Sequence, residues 1–160
     1  AKNFRNIHFI GTLKQPLDFI AKMDVMVVPS IREPLGNIII ESGYCKKSVI
    51  ATNIDGIPEI IENGISGILI NPEKKLTFDT LPKNSVPIPK FTVNPITLKL
   101  QQPKEIDPNK LCKHIVKLEK NILLRKKFGE KLHNTVTKKF NIENYSKELE
   151  VLYKKMFADR

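Results

Sequence analysis

Cysteine is scarce in this sequence, which holds 2 such residues in 160. Cys45 and Cys112 lie far apart and share no Cys-x-x-Cys spacing. This spacing argues against both a disulfide framework and a zinc site, so two reduced thiols are the simplest interpretation. Cysteine usage therefore indicates a reducing, intracellular compartment.

Long apolar runs are also absent. None approaches the ~18 to 20 residues that a membrane-spanning helix needs, and no cationic, apolar signal segment opens the chain. We therefore expect a soluble, cytoplasmic protein. The length fits one domain with a single hydrophobic core, and it also fits one part of a larger enzyme.

Acidic residues are scarce in one segment, and most of the formal net charge of +10 lies in that segment. Residues 108–139 hold ten Lys or Arg and two Asp or Glu, whereas residues 1–72 hold seven of each. The neutral first half argues against a nucleic-acid fold with a dispersed basic face, and no aromatic residues interleave with the basic ones. Four lysines of the basic segment recur at helical spacing: Lys110, Lys113, Lys117 and Lys120. They form either a docking face for an anionic inner-membrane surface or a solvated helix face.

Short β-branched runs without polar alternation alternate with segments of helical spacing. The runs are typical of strands buried on both faces: IHFIG (7–11), VMVVPS (25–30), SVIATN (48–53) and GILINP (67–72). The helical segments between them are QPLDFIAKM (15–23), GNIIIESGYCKK (36–47) and GIPEIIENG (56–64). This order predicts an α/β fold, a parallel sheet with helices on both faces, whose ligands bind beyond the carboxyl ends of the strands.

The second half of the chain changes character. Residues 73–107 hold five prolines and little periodicity, so we predict an insertion or long loop with a hairpin through KFTV and ITLKL. Residues 108–120 and 124–140 predict two helices, the first capped by Asp107. A last helix at 143–157 is expected to bury one apolar face, formed by these residues or their neighbours: Tyr145, Leu149, Leu152 and Phe157.

The stretch REPLGNIIIES (32–42) carries two carboxylates, Glu33 and Glu41, around a turn and a helix start. The first N–H groups of a helix that begins near Gly36 lack intrahelical acceptors, and with the helix dipole they favour an anion such as phosphate. Gly36 has no side chain, so a ligand can approach the backbone closely. The alternative is a helix whose acids merely complement the dipole.

A hydrolytic acid/base pair is the third interpretation of the two glutamates. Eight positions on a continuous helix correspond to about 12 Å of rise, against the ~5 to 9.5 Å between the carboxyl groups of glycoside hydrolases. Carboxylates accept hydrogen bonds from sugar hydroxyls and repel phosphate. The spacing therefore favours a grip on an elongated, phosphate-bearing ligand.

The run MDVMVVPSIREPLGNIIIESGYCKKSVIATNIDGIPEIIENGISGILINPE resembles a known pattern. It is similar to the C-terminal donor-binding domain of the retaining GT-B glycosyltransferases with the E-x7-E motif, the glycogen-synthase-like and mannosyltransferase-like family 4, group 1. The likeness covers residues 7–73 and resumes in the last helices, and EPLGNIIIE is closest to lipopolysaccharide core sugar transferases. It implies a Rossmann-like donor-binding core at 1–72, an insertion at 73–107 and C-terminal helices at 108–160 that pack on the same domain.

The resemblance also implies roles for particular residues. Glu33 would be catalytic, on the donor-sugar hydroxyls near the anomeric carbon; Gly36 and Asn37 would bind the diphosphate, and Glu41 the ribose. Thr12 and Leu13 would border the base. The donor would be a nucleotide-diphosphate sugar, transferred with retention to a cell-envelope glycan or lipid-linked acceptor, without a metal or other cofactor.

Two parts of the family pattern do not occur in this sequence: an Arg and a Lys on an earlier βα unit, and an N-terminal acceptor domain. We therefore expect a domain fragment, a truncated product or one piece of a split enzyme, which leaves open that the isolated chain is inactive. A truncated, non-catalytic nucleotide-sugar-binding remnant is the alternative function. The loop DGIPE (55–59) either borders the active cleft or caps a helix. The three histidines lie apart, which argues against a catalytic role for them.

Overall fold

A computed structural model describes residues 4–76 and 87–158. The elements follow one another along the chain in this order: α1 (Pro16–Ile20), β1 (Val25–Val28), α2 (Asn37–Tyr44), β2 (Ser48–Thr52), α3 (Ile57–Ile60), β3 (Ile68–Ile70), β4 (Lys74–Lys75), β5 (Thr92–Val93), β6 (Leu100–Gln101), β7 (Lys104–Glu105), α4 (Pro108–Glu119), α5 (Ile122–Lys139) and α6 (Ile142–Ala158). Helices and strands alternate through the first half, as predicted.

The central sheet is parallel, with the order β1-β2-β3. Val25 lies opposite Ser48, and Ile50 lies opposite Ile68. The short apolar runs form these strands because both faces of the sheet are covered. The predicted α/β fold is therefore confirmed.

The strand predicted at 7–11 is wrong. The structure describes irregular backbone over these residues, and the Phe9 side chain is 81% exposed. A parallel strand needs a hydrogen-bonded neighbour and apolar cover on both faces, and the described residues supply neither here. The apolar composition of IHFIG alone was the basis of the prediction.

Two apolar clusters lie on opposite faces of the sheet, since successive residues of a strand point to opposite faces. On one face Val49 and Ala51 of β2 pack with residues of α2, α3 and α5, among them Ile39 and Leu132. On the other face Ile50 packs with residues of β3, α4 and α5. Helices therefore cover both faces, as the sequence predicted.

Close backbone contacts join α2, the turn after it and α5. A Cβ on Gly43 would come within 2.8 Å of Val136 Cγ1, and a Cβ on Gly129 would lie 2.0 Å from the Lys46 carbonyl oxygen. The ring nitrogen Nδ1 of His133 also lies 3.1 Å from the Gly43 carbonyl oxygen. This packing fixes α2 on the sheet.

Two small antiparallel strand pairs follow β3 and precede α4 along the chain. β4 pairs with β7, and β5 pairs with β6. The second pair confirms the predicted hairpin. Part of the loop predicted at 73–107 lies outside the described residues.

The helices α4 and α5 each begin at a side-chain cap, of which only the first was predicted; α5 begins at Ile122, two residues before its predicted start. The Asp107 carboxylate accepts the N–H of Asn109 at 3.0 Å, and the Asn121 side chain accepts the N–H of Leu124 at 2.9 Å. These side chains satisfy donors that the first helical turn leaves unpaired. The predicted Asp107 cap is confirmed.

The last helix does not bury the residues expected of it. Tyr145 is 61% exposed, Leu152 53% and Phe157 66%, and Leu149 is half-buried. An amphipathic stripe marks a face that can be buried, but burial also needs an opposing apolar surface. None of the helices in the described ranges is long and apolar enough to cross a membrane.

Candidate functional site

The candidate site lies where the parallel strands end. The loop 29–36 follows β1, the loop 53–56 follows β2, and Asn71 follows β3. The carboxyl ends of parallel strands meet at one edge of a sheet, so these segments are neighbours. The Asn53 side-chain amide donates to Asn71 Oδ1 at 2.8 Å, which ties two of the loops together.

Glu33 is half-buried in the loop before α2. Its N–H donates to Asp55 Oδ2 at 2.9 Å, and its carbonyl oxygen accepts from the Gly56 N–H at 3.4 Å. The Ser30 hydroxyl donates to Glu33 Oε2 at 3.5 Å. The backbone of Glu33 is therefore held from the neighbouring strand end, while its carboxylate has one long hydrogen bond.

The start of α2 is open to an anion. Gly36, at its N-cap, has φ +99° and makes no side-chain cap. In the part of the chain that the structure describes, the N–H groups of Asn37 and Ile38 have no acceptor. Their partial positive charge and that of the helix dipole point out of the helix beside the Glu33 loop. This geometry fits the expected diphosphate position.

Gly36 is also required by its conformation. A φ of +99° lies in the region that glycine adopts readily and L-residues avoid. A Cβ at this position would lie 2.9 Å from Ile39 Cδ1 and 3.4 Å from Glu33 Cγ. The Glu33 side chain therefore lies directly beside the helix start.

Glu41 is half-buried on the second turn of α2. Its carboxylate has no hydrogen-bond or ion-pair partner among the described residues. The helix start predicted near Gly36 is confirmed, because α2 begins at Asn37 and Glu33 lies in the loop before it. Helical rise therefore applies only from Asn37 to Glu41, and it no longer measures the separation of the two carboxylates.

Asp55 is the organising residue that the sequence did not single out. It adopts φ +44°, and its Oδ1 accepts the Val93 N–H at 2.6 Å while Oδ2 accepts the Glu33 N–H. The Asp55 N–H donates in turn to the Val93 carbonyl oxygen at 3.1 Å. Its carboxylate does not cap α3, whose N-cap is Gly56. The loop DGIPE thus contains the N-cap of α3 at Gly56, without a side-chain cap, while Asp55 fastens the Glu33 loop to the β5–β6 hairpin.

Gly56 allows this contact. A Cβ at Gly56 would lie 2.0 Å from the Pro34 carbonyl oxygen. Any side chain here would separate the two loops, so the glycine reflects close backbone approach.

A groove of about 870 Å³ lies between these loops and the hairpin. Its walls combine apolar side chains with a few charged ones, the composition usual for ligand sites. Residues that line it include Arg32, Pro34, Asp55, Glu59, Lys90 and Phe91, whereas Glu33, Gly36, Asn37 and Glu41 are not among the lining residues. Two residues expected near the base, Thr12 and Leu13, are exposed, and neither forms a hydrogen bond with the described residues of these loops. The described residues hold no group of three or more His, Cys, Asp or Glu that could bind a metal ion.

Sequence comparison matches the first half of the chain to a known family. The family model for glycosyl transferases group 1 matches residues 1–79. Alpha-maltose-1-phosphate synthase from Mycobacterium tuberculosis is 37% identical over 60 residues, which cover 38% of this chain and 16% of that protein. A lipopolysaccharide core biosynthesis glycosyltransferase from Rhizobium meliloti is 32% identical over 65 residues, 41% of this chain and 19% of that protein. Each match thus spans less than a fifth of the relative.

Structure comparison extends over most of the described chain. The Anabaena protein HepE, solved in complex with UDP and glucose, superposes with a TM-score of 0.70 and 16% sequence identity. The superposition covers 94% of this chain and 32% of HepE. At this identity the likeness shows the fold.

Proposed function

We propose that this chain forms the donor-binding half of a retaining hexosyltransferase, and the match of residues 1–79 to the family model for glycosyl transferases group 1 supports this proposal. The donor is a nucleotide-diphosphate sugar. The uncapped start of α2 beside the Glu33 carboxylate carries the proposal, because it offers donors to a diphosphate and an acceptor to a sugar within one loop.

Each part of the donor has a proposed contact. The N–H groups at Gly36 and Asn37 bind the diphosphate, Glu33 binds sugar hydroxyls near the anomeric carbon, and Glu41 binds the ribose. The carboxylate of Glu41 has no partner among the described residues, which supports its role, since it can accept from hydroxyls. The UDP and glucose in the structure of HepE support the ligand class. Thr12 and Leu13 are the proposed neighbours of the base.

The chemistry follows from the charges. Cleavage of the bond to the diphosphate leaves positive charge on the sugar carbon and negative charge on the leaving oxygens. The free N–H groups of α2 stabilise the leaving diphosphate, and Glu33 stabilises the oxocarbenium-like sugar. No metal is required for this division of roles. The family match favours transfer over the hydrolytic acid/base alternative.

The acceptor is proposed more broadly. The names of the relatives differ, one concerning maltose phosphate and another lipopolysaccharide core. We propose a cell-envelope glycan or a lipid-linked acceptor of the lipopolysaccharide type. The chain spans under a fifth of these relatives, so transfer belongs to a protein that supplies the acceptor domain as well. A non-catalytic remnant would bind the donor through the same contacts.

Calorimetric titration of UDP and UDP-glucose into the chain tests the donor site. We expect Glu33→Ala to weaken UDP-glucose about tenfold or more and to leave UDP nearly unchanged, because loss of a hydrogen bond to a charged group costs ~1.5 to 3 kcal/mol. Glu41→Ala should weaken both ligands, since both contain the ribose.

Glu148→Ala is the matched control, because Glu148 is an exposed acid on α6. It should change neither affinity. If both site variants bind UDP-glucose as the unchanged chain does, the donor-site assignment is wrong. Binding of the donor without turnover in the presence of the acceptor domain would support the remnant.

A further inference from the structure

The tip of the β5–β6 hairpin, residues 91–100, presents large apolar side chains to solvent. Ile96 is 80% exposed, Leu98 78%, Leu100 69% and Phe91 51%. A group of this size on one short hairpin is unusual for a surface without a partner.

The turn that carries these side chains is ordered by hydrogen bonds. Asn94 Oδ1 accepts the N–H groups of Ile96 at 2.9 Å and Thr97 at 3.0 Å, and the Leu98 N–H donates to the Asn94 carbonyl oxygen at 2.8 Å. The Asn94 side-chain amide also donates to Gln101 Oε1 at 3.2 Å. The apolar side chains are thus held outward by a defined turn.

The backbone of Leu98 adopts a conformation that is unfavourable for leucine. Its φ is +55°, in the left-handed region that glycine and asparagine adopt far more readily than leucine. Its side chain gains little burial within the chain to offset this cost. A bulky residue kept in such a position points to a use outside the chain.

The charge of the same segment is of one sign. Residues 87–104 contain three lysines, Lys90, Lys99 and Lys104, and no Asp or Glu. Lys90 and Lys99 are exposed and form no ion pair with any described residue. Projecting apolar side chains flanked by lysines match the two layers of an anionic bilayer surface, the acyl boundary and the headgroups.

We propose that the hairpin tip inserts into the surface of an anionic lipid bilayer. Ile96 and Leu98 enter the acyl boundary, and Lys90 and Lys99 contact the headgroups. A second copy of this chain is a poor occupant, because its tip carries the same positive charge. Phe91, Leu98 and Leu100 also line the groove beside Asp55, so a bound hairpin would hold this groove close to the membrane. The proposed membrane-binding surface rests on the exposure and charge of the hairpin, so it does not depend on the assignment of the donor site.

Co-sedimentation of the chain with vesicles tests this surface. We expect binding to vesicles of phosphatidylcholine and phosphatidylglycerol in equal parts, and much weaker binding to phosphatidylcholine alone. Leu98→Asn should lower the partition coefficient about tenfold, the effect of removing one large apolar anchor. The same variant should keep or raise Tm, because asparagine suits the left-handed position. Lys99→Glu should weaken binding to the anionic vesicles only.

Leu123→Asn is the matched control, since Leu123 on α5 is 80% exposed. It should change the partition coefficient less than twofold. Several outcomes would overturn the proposal: no binding of the unchanged chain to anionic vesicles, equal loss in both asparagine variants, or a fall in Tm for Leu98→Asn that shows packing within the chain. If sedimentation velocity shows self-association that depends on Leu98, and the chain does not bind vesicles, the surface binds a second copy of the chain instead.

Discussion

Removal of the Asp55 carboxylate should release the Glu33 loop from the hairpin. In Asp55→Ala the N–H groups of Glu33 and Val93 lose acceptors that now lie 2.9 Å and 2.6 Å away. A hydrogen bond to a charged group contributes ~1.5 to 3 kcal/mol, and half-burial of Asp55 places each bond at the lower end. Alanine at φ +44° adds ~1 kcal/mol of strain. We therefore expect a loss of about 3 to 4 kcal/mol in the free energy that holds the loop.

Hydrogen exchange of single amides measures this local free energy directly, because local opening is detected without global unfolding. In Asp55→Ala the amides of Glu33 and Val93 should exchange at least about a hundredfold faster. Asp55→Asn should give an intermediate change, since asparagine tolerates the left-handed conformation and retains one acceptor oxygen.

Asp18→Ala is the control for loss of an aspartate, because Asp18 is exposed in the described chain and forms no ion pair. Its effect on these two amides should be negligible. If Asp55→Ala leaves the exchange of both amides unchanged, the carboxylate does not fasten the loop and the account of the site fails at this point.

Three further substitutions test the start of α2, the packing of α5 and the cap of α4. Gly36→Ala should destabilise the chain by about 1 to 2 kcal/mol in urea unfolding and weaken UDP, because φ +99° suits glycine alone; unchanged stability would contradict the strain. Gly129→Ala should lower the free energy of unfolding by about 1 to 3 kcal/mol, since its Cβ would lie 2.0 Å from the Lys46 carbonyl oxygen. An unchanged free energy of unfolding would mean that α5 can move away from Lys46 without cost. The pKa of Asp107 lies below its ordinary value near 3.8, chiefly through the Asn109 N–H and then Lys74. Its stabilising contribution is therefore complete above that ordinary value and is lost as pH falls through the lowered pKa. Thermal unfolding between pH 2 and pH 6 should show this dependence weakened in Asp107→Asn, and an identical pH profile would refute it.

Local patterns in the sequence predicted the parts of the fold that local composition decides. The runs around Val27, Ile50 and Leu69 form strands because neighbouring helices cover them on both faces. The run at 7–11 has the same composition and forms no strand, because pairing and cover are long-range conditions. The prediction that α6 buries its apolar face failed for the same reason, since periodicity identifies an apolar face without identifying the surface that covers it.

The candidate site was predictable to a similar extent. The motif around Gly36 located the helix start, because a turn followed by three isoleucines is a local signal. Asp55 was not singled out, since its partners Glu33 and Val93 lie 22 and 38 positions away. The dipeptide Asp-Gly marked a turn but gave no sign of what the carboxylate would bind.

Backbone amide shifts during titration of UDP into the 15N-labelled chain test the donor site most directly. The account predicts that the largest saturable shifts fall on Gly36 and Asn37, whose N–H groups are proposed to bind the diphosphate, and on Ile38, whose N–H is also open at the start of α2. Smaller shifts should follow along the Glu33 loop. Saturable shifts confined to other segments, such as the lysine-rich helix α4, with Gly36, Asn37 and Ile38 unmoved, would contradict this account.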